Sequence, residues 1–315
     1  MSAYLLGLGQ LLLLALLAPL ATGWVRRVKA RLQNRVGPPL LRPYQDLIKL
    51  LWVKETLFSD RASWLFRTAP YVIFAATLLA AGGVPVVLAQ ASVPGFGDAI
   101  LLVGFLALAR FFTALAAMDA ATAFGGMGAS REMILSALAE PAVLMCLFVL
   151  SVQADSSHLE TLVGHTLTHP VLPQPSLAFA LVALVMVALA ECGRLPVDNP
   201  ATHLELTMLH EAMVLEYSGR HLGLLEWGGQ IKLVLFATLI IDLFFPWGLA
   251  HSLAADVALP ALGYWLGKML VLLTGLAILE TILAKLRIFQ VPEYLSVAFL
   301  LALLGMLTHQ IMGGV

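Results

Sequence analysis

Eight runs of about 20 apolar residues, the length a hydrocarbon core demands of a helix, recur along this chain of 315 residues. They fall at about 3 to 23, 69 to 91, 98 to 118, 132 to 153, 176 to 192, 229 to 249, 258 to 284 and 293 to 312. In lipid every backbone N–H and C=O must be satisfied inside the protein, so runs of this kind cross as helices. Composition agrees, since 60% of the residues are hydrophobic and only 12% charged, far from soluble usage. The expected fold class is all-α: a polytopic membrane protein of eight transmembrane helices, forming one integral membrane domain over residues 1–315.

Basic residues orient the spans. The segment between the first two runs holds Arg26, Arg27, Lys29, Arg31, Arg35, Arg42, Lys49, Lys54, Arg61 and Arg67, ten of the eighteen Lys and Arg, so the positive-inside rule makes it cytoplasmic. Counted from there, Arg131, Arg194, Arg220, Lys285 and Arg287 also fall on cytoplasmic segments, with Lys232 at the start of the sixth helix. The opposite loops, near 92–97, 154–175 and 250–257, contain neither Lys nor Arg. Eight spans then put both termini outside, in a cytoplasmic membrane. The apolar start follows no positive n-region, so it is expected to remain as the first helix instead of being cleaved.

Several chemistries are excluded. A net charge of −1 with no concentrated basic face on a soluble domain argues against nucleic-acid partners. Cys146 and Cys192 are isolated and lack the spacing of a zinc, iron–sulfur or disulfide redox motif. His210-Glu211-Ala212-Met213-Val214 begins like a metalloprotease helix but has Val where the second His is required. With no phosphate-cradling Gly-rich loop, nucleotide fingerprint, or nucleophile with a matching base, the chain reads as a non-catalytic subunit that binds no cofactor itself. Between the first two spans, Pro43 to Phe58 places Leu47, Leu50 and Leu51 at helical spacing among Asp46, Lys49 and Lys54, as a short amphipathic helix at the cytoplasmic interface would.

The segment Ala190 to Arg220 stands out from this background, with Glu191, Asp198, Glu205, Glu211 and Glu216 beside Arg194 and Arg220. Charge at membrane depth is expensive and marks function. Ionisable groups also lie within the spans: Arg110 in the third, Glu140 in the fourth, Asp242 in the sixth, and Lys268 and Glu280 in the seventh, while Glu191 ends the fifth. Pro141 withholds a helical N–H beside Glu140 and loosens that turn. One reading is structural, these groups pairing with one another, for example Arg110 with Glu140. The other is a proton path, because a carboxylate in a low-dielectric interior exchanges its proton as neighbouring charges change.

At these residues the chain resembles a known family. The run Ala30-Arg31-Leu32-Gln33-Asn34-Arg35-Val36-Gly37-Pro38 and then Pro43-Tyr44-Gln45-Asp46-Leu47-Ile48-Lys49-Leu50 are similar to the first cytoplasmic segment of the eight-helix subunit of respiratory complex I and its hydrogenase relatives. Gly128-Ala129-Ser130-Arg131-Glu132, the pattern Glu191, Arg194, Pro196, Asp198, and Glu216-Tyr217-Ser218-Gly219 extend the match to nearly the whole chain. The resemblance implies a subunit joining a soluble redox module to a proton-pumping membrane arm, with helices two to six forming a tilted bundle. In the quinone-reducing branch the Asp matching Asp198 is followed by acids where this chain has Ala201, His203 and Glu205, so only the last is kept. The run Asp198 to Met208 resembles instead the membrane subunit of formate hydrogenlyase and hydrogenase-4 complexes, which are group 4 [NiFe] hydrogenases.

That branch implies partners: hydrogenase large and small subunits carrying the NiFe centre, an iron–sulfur subunit with its clusters, antiporter-like membrane subunits, and the bilayer of a bacterial or archaeal cell. Glu205, Glu211 and Glu216 would sense the redox module and pass the perturbation to Glu191 and Glu140, with Asp198, Arg194, Arg110, Asp242, Lys268 and Glu280 in the same coupling set. Arg31, Arg35, Asp46, Lys49 and Arg131 are expected at the partner interface. The alternative within the family is the quinone-site subunit of complex I. Outside it stand an independent ion transporter, for which no internal repeat is found, and a passive anchor, for which one helix would suffice.

Overall fold

The computed structural model describes residues 2–57, 62–88, 95–168, 174–198, 209–250 and 254–313. Eleven α-helices follow one another among them: α1 (Ser2–Leu32), α2 (Arg42–Ile48), α3 (Trp64–Gly82), α4 (Ala99–Asp119), α5 (Ala123–Ala154), α6 (Leu159–Thr168), α7 (Pro175–Glu191), α8 (His210–Val214), α9 (Gly219–Phe244), α10 (Ala255–Ile282) and α11 (Val291–Gly313). Extended pairing among the described residues is limited to two isolated bridges, Leu88 with Ala250 and Asp98 with His158. Seven helices are long and apolar enough to cross a membrane, and α7 is an eighth apolar helix of 17 residues.

Helices α3, α4, α5, α7 and α9 pack side by side, with α11 laid against α5 and α7 and with α1 and α10 closing the side against α9. Their shared interior is aliphatic, built around Leu14, Leu102, Cys146, Leu184, Ile231 and Trp265. Polar side chains reaching backbone oxygens lock the layers together. Trp227 donates its indole N–H to Ala15 O at 2.9 Å and Tyr294 its hydroxyl to Met186 O at 3.1 Å, while Trp24 reaches Thr274 Oγ1 at 3.0 Å.

The two ends of this bundle differ. One gathers Lys29, Arg31, Asp119, Glu191, Arg194 and Lys285 together with the Ser218 turn. The other holds Gln10, Val86, Asp98, Ser157, Ser176 and Ala250, linked by Gln10 to the Val86 N–H, by Asp98 to the Ser157 hydroxyl at 2.7 Å, and by the Ala250 N–H to Val87 O. Asp98 caps α4 by accepting from Ile100 and Leu101. Burial raises its pKa, but the Ser157 hydroxyl, those two backbone N–H groups and the charge of His158 outweigh that and hold the carboxyl below its ordinary value.

Several helices run past their apolar runs. α1 continues through the basic residues to Leu32, α5 begins at Ala123 and α9 at Gly219, each several residues beyond its run. Hydropathy marks where lipid ends, not where backbone hydrogen bonding ends, and polar turns continue a helix into water at no penalty. At 32 residues, α5 is about 48 Å long against a core of about 30 Å, so it extends well past the hydrocarbon or crosses it at a slant. α3 corrects the expectation in the opposite sense, stopping at Gly82 instead of near 91. There the chain turns at Gly83, whose missing side chain admits Phe96 O, ahead of Pro85.

The amphipathic helix expected over Pro43–Phe58 is also shorter: α2 followed by a π-helical turn, Lys49–Val53. Leu47 and Leu50 are buried, and Leu50 and Leu51 sit against Gly223 of α9. Ile48, Trp52 and Val53 are exposed, so this element presents apolar side chains on both faces. It is pinned where the Ser218 hydroxyl meets the Leu57 N–H at 2.8 Å and where Gly219, at φ +49, passes so near Glu55 O that a Cβ would overlap it.

Candidate functional site

The interior charges are not scattered. Arg110 of α4 is buried, its side chain 6% exposed, and three carboxylates surround it: Glu191 at the end of α7 in direct contact, Glu132 of α5 at 3.4 Å and Glu140 of α5 at 3.9 Å. Lys232 of α9 approaches the other oxygen of Glu191 at 2.6 Å. The group thus draws on four helices, and three carboxylates face two cations. One negative charge is in excess in a place where lone charge is costly.

The pairing is also incomplete. Among the described residues Arg110 Nε and Nη1 and Glu191 Oε2 have no hydrogen-bond partner, although each lies within ion-pair distance of an opposite charge. Coulomb attraction at these ranges needs no aligned N–H, so the ion pairs stand without the hydrogen bonds. An arginine with two unaligned N–H groups beside Glu132 and Glu140 is able to trade one carboxylate for another by small rotations.

A second group lies at the basic end. Glu280 of α10, with its side chain 1% exposed, takes Lys29 of α1 at 2.9 Å and Arg194 at 3.1 Å, so two cations share one carboxylate. Asp198 pairs with Lys285 at 2.7 Å and accepts from the backbone N–H groups of Leu209 and His210 at 3.3 and 3.4 Å. A small cavity of about 10 Å³, room for roughly one water, lined by Glu132, Glu191, Asp198 and His210 among others, lies between the central group and this carboxylate.

The turn after α7 joins the two groups. Gly193 adopts φ +56, its N–H bonds to Ala190 O at 3.1 Å, and the Arg194 N–H reaches back to Leu189 O at 2.9 Å. These are the two bonds of a Schellman motif, which requires a left-handed residue after the helix cap. Glu191 is thereby left facing Arg110 while Arg194, three residues on, faces Glu280. A side chain at Gly193 costs about 1–2 kcal/mol in this conformation, less for Asn than for a β-branched residue. Gly193→Val is accordingly expected to lower the thermal midpoint of the purified complex more than Gly193→Asn; equal midpoints would show that the turn does not need its left-handed residue.

The sequence-predicted residues divide as follows. Arg110, Glu140 and Glu191 come together, as do Arg194 and Glu280, with Asp198 across the cavity. Glu211 is half-buried and Glu216 exposed near α8, outside both groups. Glu205, with Ala201 and His203, lies outside the described residues. Asp242 and Lys268 sit towards the other end of the bundle. Lys268 donates to Phe245 O and Trp247 O, both at 2.9 Å, and the Asp242 oxygens, in a side chain on a residue 1% exposed, have no hydrogen-bond partner among the described residues.

Of the expected interface residues, Arg31, Arg35 and Lys49 are exposed, Asp46 pairs with Arg42 one helical turn away at 3.2 Å, and Arg131 is half-buried on α5. Sequence reasoning passed over Glu132, Lys232, Lys29 and Lys285. Lys232 carried a usable signal, a lone cation in an apolar run. The other three gave none, standing beside other polar residues at helix ends.

Such an arrangement, buried ion pairs within a bundle of membrane-length helices, defines a polytopic membrane protein with ionic groups in its core. Over residues 6–310 the chain matches the NADH dehydrogenase family, and it belongs to that family. It is 34% identical over 296 residues to formate hydrogenlyase subunit 4 of Escherichia coli (strain K12), covering 94% of this chain and 95% of that one. To hydrogenase-4 component C of the same organism it is also 34% identical, covering 95% and 93%. Among solved structures, a chain of the membrane-bound sulfane sulfur reductase, an archaeal respiratory membrane complex, superposes with a TM-score of 0.84 at 20% identity over 98% of this chain and 99% of that one. At that identity the likeness is one of fold.

Proposed function

We propose that this chain is the membrane subunit of a group 4 [NiFe] hydrogenase complex of the formate hydrogenlyase and hydrogenase-4 type, coupling electron transfer in a peripheral module to proton translocation in the membrane arm. Identity to two curated relatives of those names over nearly the full length supports the branch. The observation that carries the coupling is the sharing of three carboxylates by Arg110 and Lys232. With one negative charge in excess, the group reaches neutrality by binding a single proton. Which carboxylate holds that proton depends on where Arg110 and Lys232 lean.

α7 is taken as the eighth span. At about 26 Å it approaches the hydrocarbon thickness, and its ends meet both ends of the bundle, Ser176 with Gln153 at 3.0 Å and Glu191 with Arg110. On that count both termini lie outside and the basic end lies in the cytoplasm of a bacterial or archaeal cell. Arg31, Arg35, Lys49 and Arg131 then face the large, small and iron–sulfur subunits, which hold the NiFe centre and clusters, and the α4–α5 side faces the antiporter-like subunits. A change in the peripheral module reaches Arg194 and Asp198 through the cytoplasmic segment around Glu205, Glu211 and Glu216. The turn at Gly193 transmits it to Glu191.

Glu140→Gln keeps shape and brings the central group to two carboxylates for two cations, so assembly is expected to persist while electron-driven acidification by membrane vesicles falls to background. Normal acidification in that variant would remove Glu140 from the mechanism. The branch is tested separately by the proteins that co-purify in mild detergent: a large subunit with two Cys-x-x-Cys pairs is expected, and one lacking them would favour the quinone-reducing relatives.

A further inference from the structure

Between α7, α9 and α10 lies a second cavity, of about 260 Å³, whose walls include Ala188, Phe236, Gly275, Leu276 and Leu279. That is a little below the usual range of ligand sites, about 300–1,000 Å³, and leaves room for something slender. Its lining is apolar apart from Arg194 at one end. Water gains nothing in such a space, since a buried water needs several polar partners. A transmembrane helix does not fit: a cylinder about 10 Å across and 30 Å long occupies about 2,400 Å³. What fits is a single slender apolar chain, and these helices are surrounded by such chains.

Arg194 supplies the polar end. One of its five N–H donors is engaged by Glu280 at 3.1 Å, and Lys29 holds the other oxygen of that carboxylate. Two cations around one carboxylate leave a positive charge in excess, and it sits at the end of the bundle where the basic residues gather. An anion is therefore complementary at the mouth of an apolar slot.

We propose that this cavity is a lipid site, holding one acyl chain of an anionic phospholipid whose phosphate lies at Arg194. The slot aligns the chain with the bundle, and the phosphate balances the charge that Glu280 leaves over. Gly275 is the control point, because a Cβ placed there meets no atom within 4 Å and any larger side chain grows into the open space. The site shares Arg194 with the coupling route proposed above but is lined by none of the central carboxylates, and would exist in either branch of the family.

The experiment uses the intact complex reconstituted in nanodiscs of phosphatidylcholine doped with phosphatidylglycerol or, separately, with a matching extra phosphatidylcholine, each carrying a photoreactive group on the acyl tail. Labelling of the peptide containing Leu276 and Leu279 is expected, with phosphatidylglycerol favoured about fivefold, the preference one positive charge gives at a membrane surface. Gly275→Phe should reduce that labelling to background, and Arg194→Gln should bring the two lipids to parity. Should Gly275→Phe fail to assemble, Ala237→Leu blocks the same slot from α9. Undiminished labelling in an assembled blocked variant, equal labelling by both lipids in the unaltered complex, or stoichiometric recovery of an isoprenoid quinone in place of phospholipid would each overturn the proposal.

Discussion

Arg110→Gln is expected to abolish assembly of the complex, whereas replacing any one of its three carboxylates by the amide is not. Charge counting makes the two outcomes unequal. Without Arg110 the central group holds Glu132, Glu140 and Glu191 against Lys232 alone, two negative charges in excess in a buried setting. Removing one partner of a buried ionic group costs about 3–5 kcal/mol, a large part of the total stability of an ordinary domain. Arg110→Lys should recover little, since a single ammonium cannot span three carboxylates as a planar guanidinium does. The measurement is the yield of intact complex after affinity purification from membranes. Wild-type yield from Arg110→Gln would mean that Arg110 is not the hub of this group.

Glu191→Gln is expected to separate the two halves of the function. The remaining group is electrically balanced and the amide oxygen still accepts from Arg110, so the complex should assemble and evolve hydrogen. What it loses is the one carboxylate among the described residues that both cations touch, and with it the means of handing a proton from the Arg110 side to the Lys232 side. Proton translocation per hydrogen evolved should fall to background, with hydrogen evolution itself at least as fast because it no longer works against a gradient. The two rates are read in parallel on inverted membrane vesicles. A normal ratio of protons to hydrogen in this variant would defeat the coupling role of Glu191.

The membrane architecture was legible because hydrocarbon thickness imposes a length on every span, and periodic apolar runs betray it. Pairing of Arg110 with Glu140 was also within reach, both being lone charges in consecutive apolar runs. The identity of the tightest partner was not, since Glu191 comes from α7 and nothing local in the sequence directs it to α4. Lys29 and Glu280, 251 positions apart, meet only because α1 packs against α10. In the sequence Lys232 marks orientation and Glu132 closes the Gly128-Ala129-Ser130-Arg131-Glu132 motif, and nothing local points either of them to its ionic partner. Asp242 and Lys268 show the opposite limit: counting them with the other buried charges put into one set residues that the fold places towards the far end of the bundle.

The left-handed turn at Gly193 has a mechanical consequence. Because two backbone hydrogen bonds hold residues 189–194 in one turn, the coupling proposed above would have Arg194 and Glu191 move together. In that scheme a displacement of Arg194 would change how Glu191 is shared between Arg110 and Lys232, over a lever three residues long, and no proton would have to traverse the turn.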